Sequence, residues 1–195
     1  VEIGEIAEKS GDQEKKENAY QEAKKACERL TKEYPNEYVH WEKLASIYHE
    51  LTKQFAKARD AYEKAIELNP DDVELYIQLG NLFHYKMKDY TAAELAYRKA
   101  IKLDNNCIGA IGGLGQLLRD YLDKSEEAEL LFKQIVKFDK NKAHAAWVDL
   151  GILYENQNEY IKAEDAYRKA MGFNSLSFKI FRKLGRLLYK HLDRE

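Results

Sequence analysis

Two histidines, His49 and His84, stand 35 residues apart in similar settings, IYHE and LFHY. Paired imidazoles could share a ligand, but a metal site needs three or four donors and no carboxylate or thiol completes this set. His40, His144 and His191 are isolated. Cys27 and Cys107 lie 80 residues apart without a CxxC step, and they read as small core residues in a reducing compartment. The GGLGQ run, Gly112–Gln116, has the composition of a phosphate-cradling loop. It falls in a helical register with no strand before it, so that motif is set aside. Neither a Ser-His-Asp order nor HExxH is present. The sequence therefore points away from an enzyme, and no metal or cofactor is expected.

The sharpest charge signal is at the C-terminal end. Lys179, Arg182, Lys183, Arg186 and Lys190 form a stripe opposite Phe181, Leu184 and Leu188. Six bases stand against two acids from Leu176 to Glu195, a local charge of +4 in a chain of −2. That stripe is either a contact for an acidic partner segment, a phosphate or a nucleic-acid backbone, or the solvated face of a terminal helix. Cations there also suit the helix dipole. The near-neutral chain gives no global reason for nucleic-acid or membrane-surface binding. No apolar run approaches the roughly 18–20 residues that cross a bilayer. The acidic start, VEIGEIAEKSGDQEKK, lacks an apolar signal core, so an intracellular, cytoplasmic location is expected.

What must position such residues is a repeated helix. DAYEKAIELNP, from Asp60, returns as LAYRKAIKLD, LLFKQIVKFD and DAYRKAMGFN. Tyr62, Tyr97, Phe132 and Tyr167 each follow the last by 35 residues, as do Ala23, Ala58, Ala93, Ala128 and Ala163. Leu30, Ala65, Ala100, Ile135 and Ala170 form a further register. Asn69, Asp104, Asp139 and Asn174 fall where each helix should end, because Asn and Asp tolerate a left-handed exit. Pro35 and Pro70 reinforce two of these stops.

A second helical pattern lies between these marks. Trp41, Leu44, Ala45 and Tyr48 recur as Tyr76, Leu79, Gly80 and Phe83, then as Ile111, Leu114, Gly115 and Leu118. Trp147, Leu150, Gly151 and Tyr154 follow, and Phe181, Leu184, Gly185 and Leu188 close the series. The i, i+3, i+4, i+7 spacing is one apolar stripe on a helix, so each unit is two antiparallel helices. The mid-helix glycines cost about 1 kcal/mol each relative to Ala, tolerable where two helix axes approach closely. The aromatics are expected to fill the space between neighbouring units, since one pair cannot bury its stripe alone.

These registers resemble the tetratricopeptide repeat from about Pro35 to the C-terminus. Trp147-Val-Asp-Leu-Gly-Ile-Leu-Tyr154 with Ala163, Tyr167 and Ala170 fits well, as does Tyr76 through Ala100. Ala110 to Asp139 is the weakest copy, with Ile135 for Ala and Lys140 where Pro is usual. Several units carry one residue more than the family's usual 34, in the turns between Tyr48 and Ala58 and between Phe83 and Ala93. Pentatricopeptide repeats, which read RNA, share the length, but the Leu-Gly pairs and acidic balance argue against them. Sel1-like repeats usually add a Gly-rich turn that YENQNEYIKA lacks. The resemblance implies an all-α, right-handed superhelical solenoid of antiparallel helix pairs. Repeats are expected at 36–70, 71–105, 106–140 and 141–175, in a single array over 1–195. Residues 1–35 read as a degenerate or truncated first repeat: Val1 to Ser10 as a cut helix, Ser10-Gly11-Asp12 as a turn, then a long helix from about Gln13 to Tyr34. Residues 176–195 read as a closing cap, or as the first helix of a pair in a longer protein. The missing initiator Met fits the latter.

The resemblance further implies a protein-interaction scaffold, its groove lined by the first helix of each pair. The implied residues are Val39, Glu42, Ser46, His49 and Glu50, then Glu74, Ile77, Asn81, His84 and Tyr85. Gly109, Gly112, Gln116, Arg119 and Asp120 follow, with the glycines leaving room for a bulky partner side chain or simply loosening the repeat. Ala145, Val148, Ile152, Glu155 and Asn156 come next, then Lys179, Arg182, Arg186, Tyr189 and Lys190. One branch of the family grips acidic chaperone tails with a Lys, Asn, Asn, Lys, Arg clamp. Only Asn81 matches; Ile77, Gly113, Ala145 and Asp149 depart from it, which argues against a chaperone-tail partner. Three alternatives stay open: a sensor or targeting region of a larger enzyme, an acidic or nucleic-acid partner at the basic end, and self-association through the end helices.

Overall fold

The computed structural model describes residues 13–138, 142–173 and 178–192. The expectations for Val1 to Asp12, Asp139, Lys140 and Asn174 lie outside these residues. Among the described residues the chain folds into α-helices and turns, with no strand. Helix α1 is Gln13–Glu33, α2 Tyr38–Ser46, α3 Phe55–Leu68, α4 Val73–Asn81 and α5 Tyr90–Leu103. Then come α6 Ile108–Tyr121, α7 Ser125–Phe138, α8 Ala143–Asn156, α9 Tyr160–Phe173 and α10 Phe178–Leu187. Helices α2, α4 and α10 run on into wider π-helical turns, Ile47–Leu51, Leu82–Met87 and Leu188–Leu192.

The chain divides into two compact units, Val1–Leu103 and Asp104–Glu195. In the first, α2 pairs with α3 and α4 with α5, while α1 covers α2 and α3 packs against α4. In the second, α6 pairs with α7 and α8 with α9, α7 packs against α8, and α10 lies on α9.

The glycine register explains how each pair closes. A Cβ on Gly80 would lie 2.7 Å from the Tyr97 ring, and one on Gly115 would lie 2.6 Å from the Phe132 ring. Gly151 meets Tyr167 in the same way. The recurring aromatic therefore sits against the small residue of its own pair, where the sequence pattern suggested the space between pairs. Tyr97, Phe132 and Tyr167 are fully buried there, and Tyr62 is nearly so. Gly185, by contrast, has nothing among the described residues within 4 Å of its Cβ position, and Phe181 of the expected core stripe is 48% exposed. The core also takes in a row the stripe left out. Ile47, Leu82, Leu117, Leu153 and Leu187 are all buried, each contributing roughly 2 kcal/mol of apolar burial. The first helix thus faces both its partner and the neighbouring pair.

The extra residue in the repeat has a visible place. The backbone N–H groups of Gln54, Asp89 and Lys124 donate to the carbonyls of Tyr48, Phe83 and Leu118, six residues back, at 2.8, 3.1 and 3.1 Å. In the shorter fourth copy, Glu159 reaches only five back, to Tyr154, at 2.8 Å. Widening the helix exit absorbs the insertion. Left-handed backbone also occurs at these exits, at Lys53, Lys88, Asp123 and Asn158, with φ of 53°, 60°, 51° and 63°. It does not occur at Asn69, whose φ is −138°. There the stop is made by side chains: Asn69 Nδ2 donates to the Asp72 carboxylate at 3.4 Å, and Asp72 Oδ1 caps α4 by accepting from Glu74 N at 3.0 Å. The aromatics at the start of the stripe bind the preceding turn, Trp41 Nε1 donating to Pro35 O at 2.9 Å and Tyr76 Oη to Pro70 O at 3.1 Å.

Candidate partner-binding surface

In the first unit the implied groove residues divide by burial. Glu74 and Tyr85 are exposed, and Val39, Glu42, Ser46, Ile77 and Asn81 are half-buried. The Glu42 carboxyl is pushed up, first by burial and then by Asp72 and Glu74 nearby. Ser46 Oγ lies 3.4 Å from Tyr62 Oη, and Tyr97 Oη donates to Asn81 Oδ1 at 2.8 Å. These polar groups are tied to the aromatic of their own pair and brace it.

His49 and His84 are buried, at 8% and 2% exposure, where a groove position should be open. Each lies in a wider π-helical turn, and the physical reason for its burial is the aromatic rings that cover it. Each imidazole packs among the rings of its own pair. His49 meets Phe55 and Tyr62 edge-on, with centroids at 6.2 and 6.4 Å. His84 stacks on Tyr85 at 4.1 Å and meets Tyr90 and Tyr97 edge-on. Burial holds the His49 ring below the usual imidazole range; Lys86 adds to this and Glu50 opposes it. Among the described residues, no three His, Cys, Asp or Glu side chains are grouped to hold a metal ion.

The second unit brings more of the implied residues together. Arg119 of α6 donates through Nη1 to Asp149 Oδ1 of α8 at 2.6 Å, and Gln116 Nε2 donates to Asp149 Oδ2 at 3.1 Å. Arg119 also holds Asp120 through Nε at 2.6 Å and lies over the Phe132 ring at 5.7 Å. Burial works against the guanidinium's charge, but the hydrogen bonds to Asp120 and Asp149 prevail and its pKa is raised. One pair further on, Glu155 of α8 accepts from Tyr167 Oη at 2.9 Å and from Arg186 Nη2 of α10 at 2.8 Å. Val148 and Ile152 are half-buried, and Asn156 is exposed. A Cβ on Gly112 would meet only Ile135 Cδ1, at 3.7 Å, so this glycine is not imposed by packing.

On α10 and its π-turn, Lys179, Arg182, Arg186 and Lys190 are exposed, and Lys183 is half-buried. Burial pushes the Lys183 ammonium below its usual range, and Arg186, Lys179 and Arg119 add repulsion that Glu155 opposes. Arg186 alone of these closes an ion pair among the described residues, with Glu155. Asp149 was visible in the sequence only as a departure from the clamp. Nothing in the sequence marks this position as facing the preceding first helix.

Three sequence models of one family match the chain: "TPR repeat" at residues 46–86, and "Tetratricopeptide repeat" at 73–107 and 144–175 and, in another model, at 3–37. No curated protein matches significantly. Solved structures share the fold. MamA superposes with a TM-score of 0.69 at 21% identity, over 92% of this chain and 98% of that one. YrrB, a TPR protein with an unusual peptide-binding site, gives 0.72 at 17%, over 92% and 87%. Pseudomonas aeruginosa pilF gives 0.73 at 17%, over 99% and 83%. The helix pairs, the Gly-aromatic seats and these likenesses define an all-α array of the solenoid class. The chain belongs to the tetratricopeptide repeat family.

Proposed function

We propose that this chain is a protein-interaction scaffold which binds a partner segment along its first helices. Family membership supports the scaffold role. The finer reading rests on one observation in the second unit, that side chains of successive first helices meet. The Arg119–Asp149 pair links α6 to α8, and the Glu155–Arg186 pair links α8 to α10. Val148, Ile152 and Asn156 of α8 belong to the same face in this reading. Lys179, Arg182 and Lys190 remain as charges that favour an acidic segment, giving recognition by placement of charge more than by area. In the first unit, the half-buried Val39, Glu42 and Ile77 with exposed Glu74 and Tyr85 serve the same purpose.

The test is site-specific photocrosslinking in native extract. A photoreactive residue at Ile152 should capture a discrete partner, and the same residue at Leu130, 68% exposed on α7, should not. Capture from Leu130 and none from Ile152 would reject the face. Arg182→Glu combined with Lys179→Glu should weaken capture, with a steep loss in rising salt.

Self-association is a second reading, favoured by the apolar exposure of α10 and its turn: Phe178 at 76%, Phe181 at 48% and Tyr189 at 88%. Sedimentation that shows monomer at high concentration would dismiss it.

A further inference from the structure

A cavity of about 500 Å³ in the first unit is lined by His49, Glu50, Lys53, Phe55 and Lys86. It opens beside the two widened helix exits and has one apolar wall, the Phe55 ring, against which His49 stands edge-on. Lys53 and Lys86 are both exposed, and neither has an acidic partner among the described residues. Lys53 also holds a left-handed backbone, φ 53°, where Gly or Asn would sit with less strain. The Nδ1 of buried His49 has no hydrogen-bond partner among the described residues. Such an orphaned polar atom beside a cavity calls for a ligand or an ordered water. Two ammonium groups against one carboxylate leave the cavity positive, and a protonated imidazole would make it more so.

We infer that this cavity takes a carboxylate presented by a bound peptide, either an Asp or Glu side chain or a chain terminus. Lys53 and Lys86 supply charge-assisted donors, and Phe55 packs against the stem that carries the acid. Glu50 holds the surplus to a single positive charge, which one carboxylate neutralises, whereas a dianion such as phosphate would leave a negative charge uncompensated in the cavity. The groups that act on His49 are Glu50 and Lys86 by charge and the Tyr62 and Phe55 rings by packing. An anion in the cavity offsets Lys86, so binding and His49 protonation should favour each other, and affinity should rise as pH falls through the imidazole range. This deepens the partner-segment reading by naming the chemistry of one contact.

The test follows the His49 ring signals of the intact chain by NMR while small probes are added. N-acetyl-Gly-Glu-Gly-amide carries a side-chain acid, N-acetyl-Gly-Gly-Gly a terminal one, and N-acetyl-Gly-Gln-Gly-amide none. At least one acid probe should shift the ring signals saturably, more tightly at about pH 6 than at about pH 8, and the amide should not. Which acid wins identifies the source. Lys53→Gln with Lys86→Gln, both exposed, should leave the circular dichroism spectrum unchanged and weaken binding about tenfold. No shift with either acid, an unchanged shift in the double variant, or tighter binding of inorganic phosphate would overturn the inference. The probes are too short to span the first helices, so their failure leaves the crosslinking test of the scaffold reading untouched.

Discussion

Arg119 and Asp149, on successive first helices of the second unit, hold each other at 2.6 Å with only 7% and 14% of their side chains exposed. A pair so withdrawn from water is more expensive to break than to make. Arg119→Ala would strand the Asp149 carboxylate with Gln116 as its remaining donor, and should lower stability by about 3 kcal/mol. Replacing both partners, Arg119→Met with Asp149→Leu, should return to within about 1 kcal/mol of the parent in urea unfolding. A single variant as stable as the parent would show that water screens the pair.

The glycines should separate by their neighbours. Gly80→Ala and Gly115→Ala place a methyl under 3 Å from buried rings, and overpacking of about 1–3 kcal/mol exceeds the roughly 1 kcal/mol that Ala gains in a helix. Gly112→Ala meets ordinary contact alone and should raise the melting temperature. Calorimetry on the three variants reads both signs at once, and identical shifts would refute the seat.

Stability should also depend on pH through His49. Its folded pKa lies below the ordinary 6.5, so the unfolded chain binds the proton more readily. Stability is then full above 6.5 and is lost as pH falls from that value through the lowered folded one. Urea titrations above and below this window should differ less for His49→Gln than for the parent. An equal difference would place the dependence elsewhere.

Tyr97→Phe removes the hydroxyl that donates to Asn81 Oδ1 and approaches His84 Nδ1 at 3.5 Å. The ring still fills its seat, so the loss should be about 1 kcal/mol, the worth of one hydrogen bond with a partner left wanting. A loss near that of Tyr97→Ala would mean that the hydroxyl, and not the ring, holds the pair together.

The apolar architecture was legible in the sequence because contact sets it. Ala93 and the aromatic at Tyr97 recur in every copy that buries an aromatic, while the Gly80 position becomes Ala45 in the first and the Ala100 position becomes Ile135 in the third. The row of Ile47, Leu82, Leu117, Leu153 and Leu187 was equally periodic and could have been read from the same registers. The polar face was less legible. Arg119 meets Asp149 across 30 residues because one helix leans on the next, and spacing along a chain carries no crossing angle. His49 and His84 are covered by the rings of their own pairs, a packing that spacing along the chain does not carry. The extra residue is legible in the turns after Tyr48 and Phe83, but the widened helix exit that absorbs it is not.

The seating of Tyr97 on Gly80, Phe132 on Gly115 and Tyr167 on Gly151 also fixes how such a chain yields to force. Each hairpin carries its own latch, so tension along the backbone would undo the second unit hairpin by hairpin, as a sawtooth of small ruptures. With α10, whose glycine latches nothing, the first tooth should be the lowest.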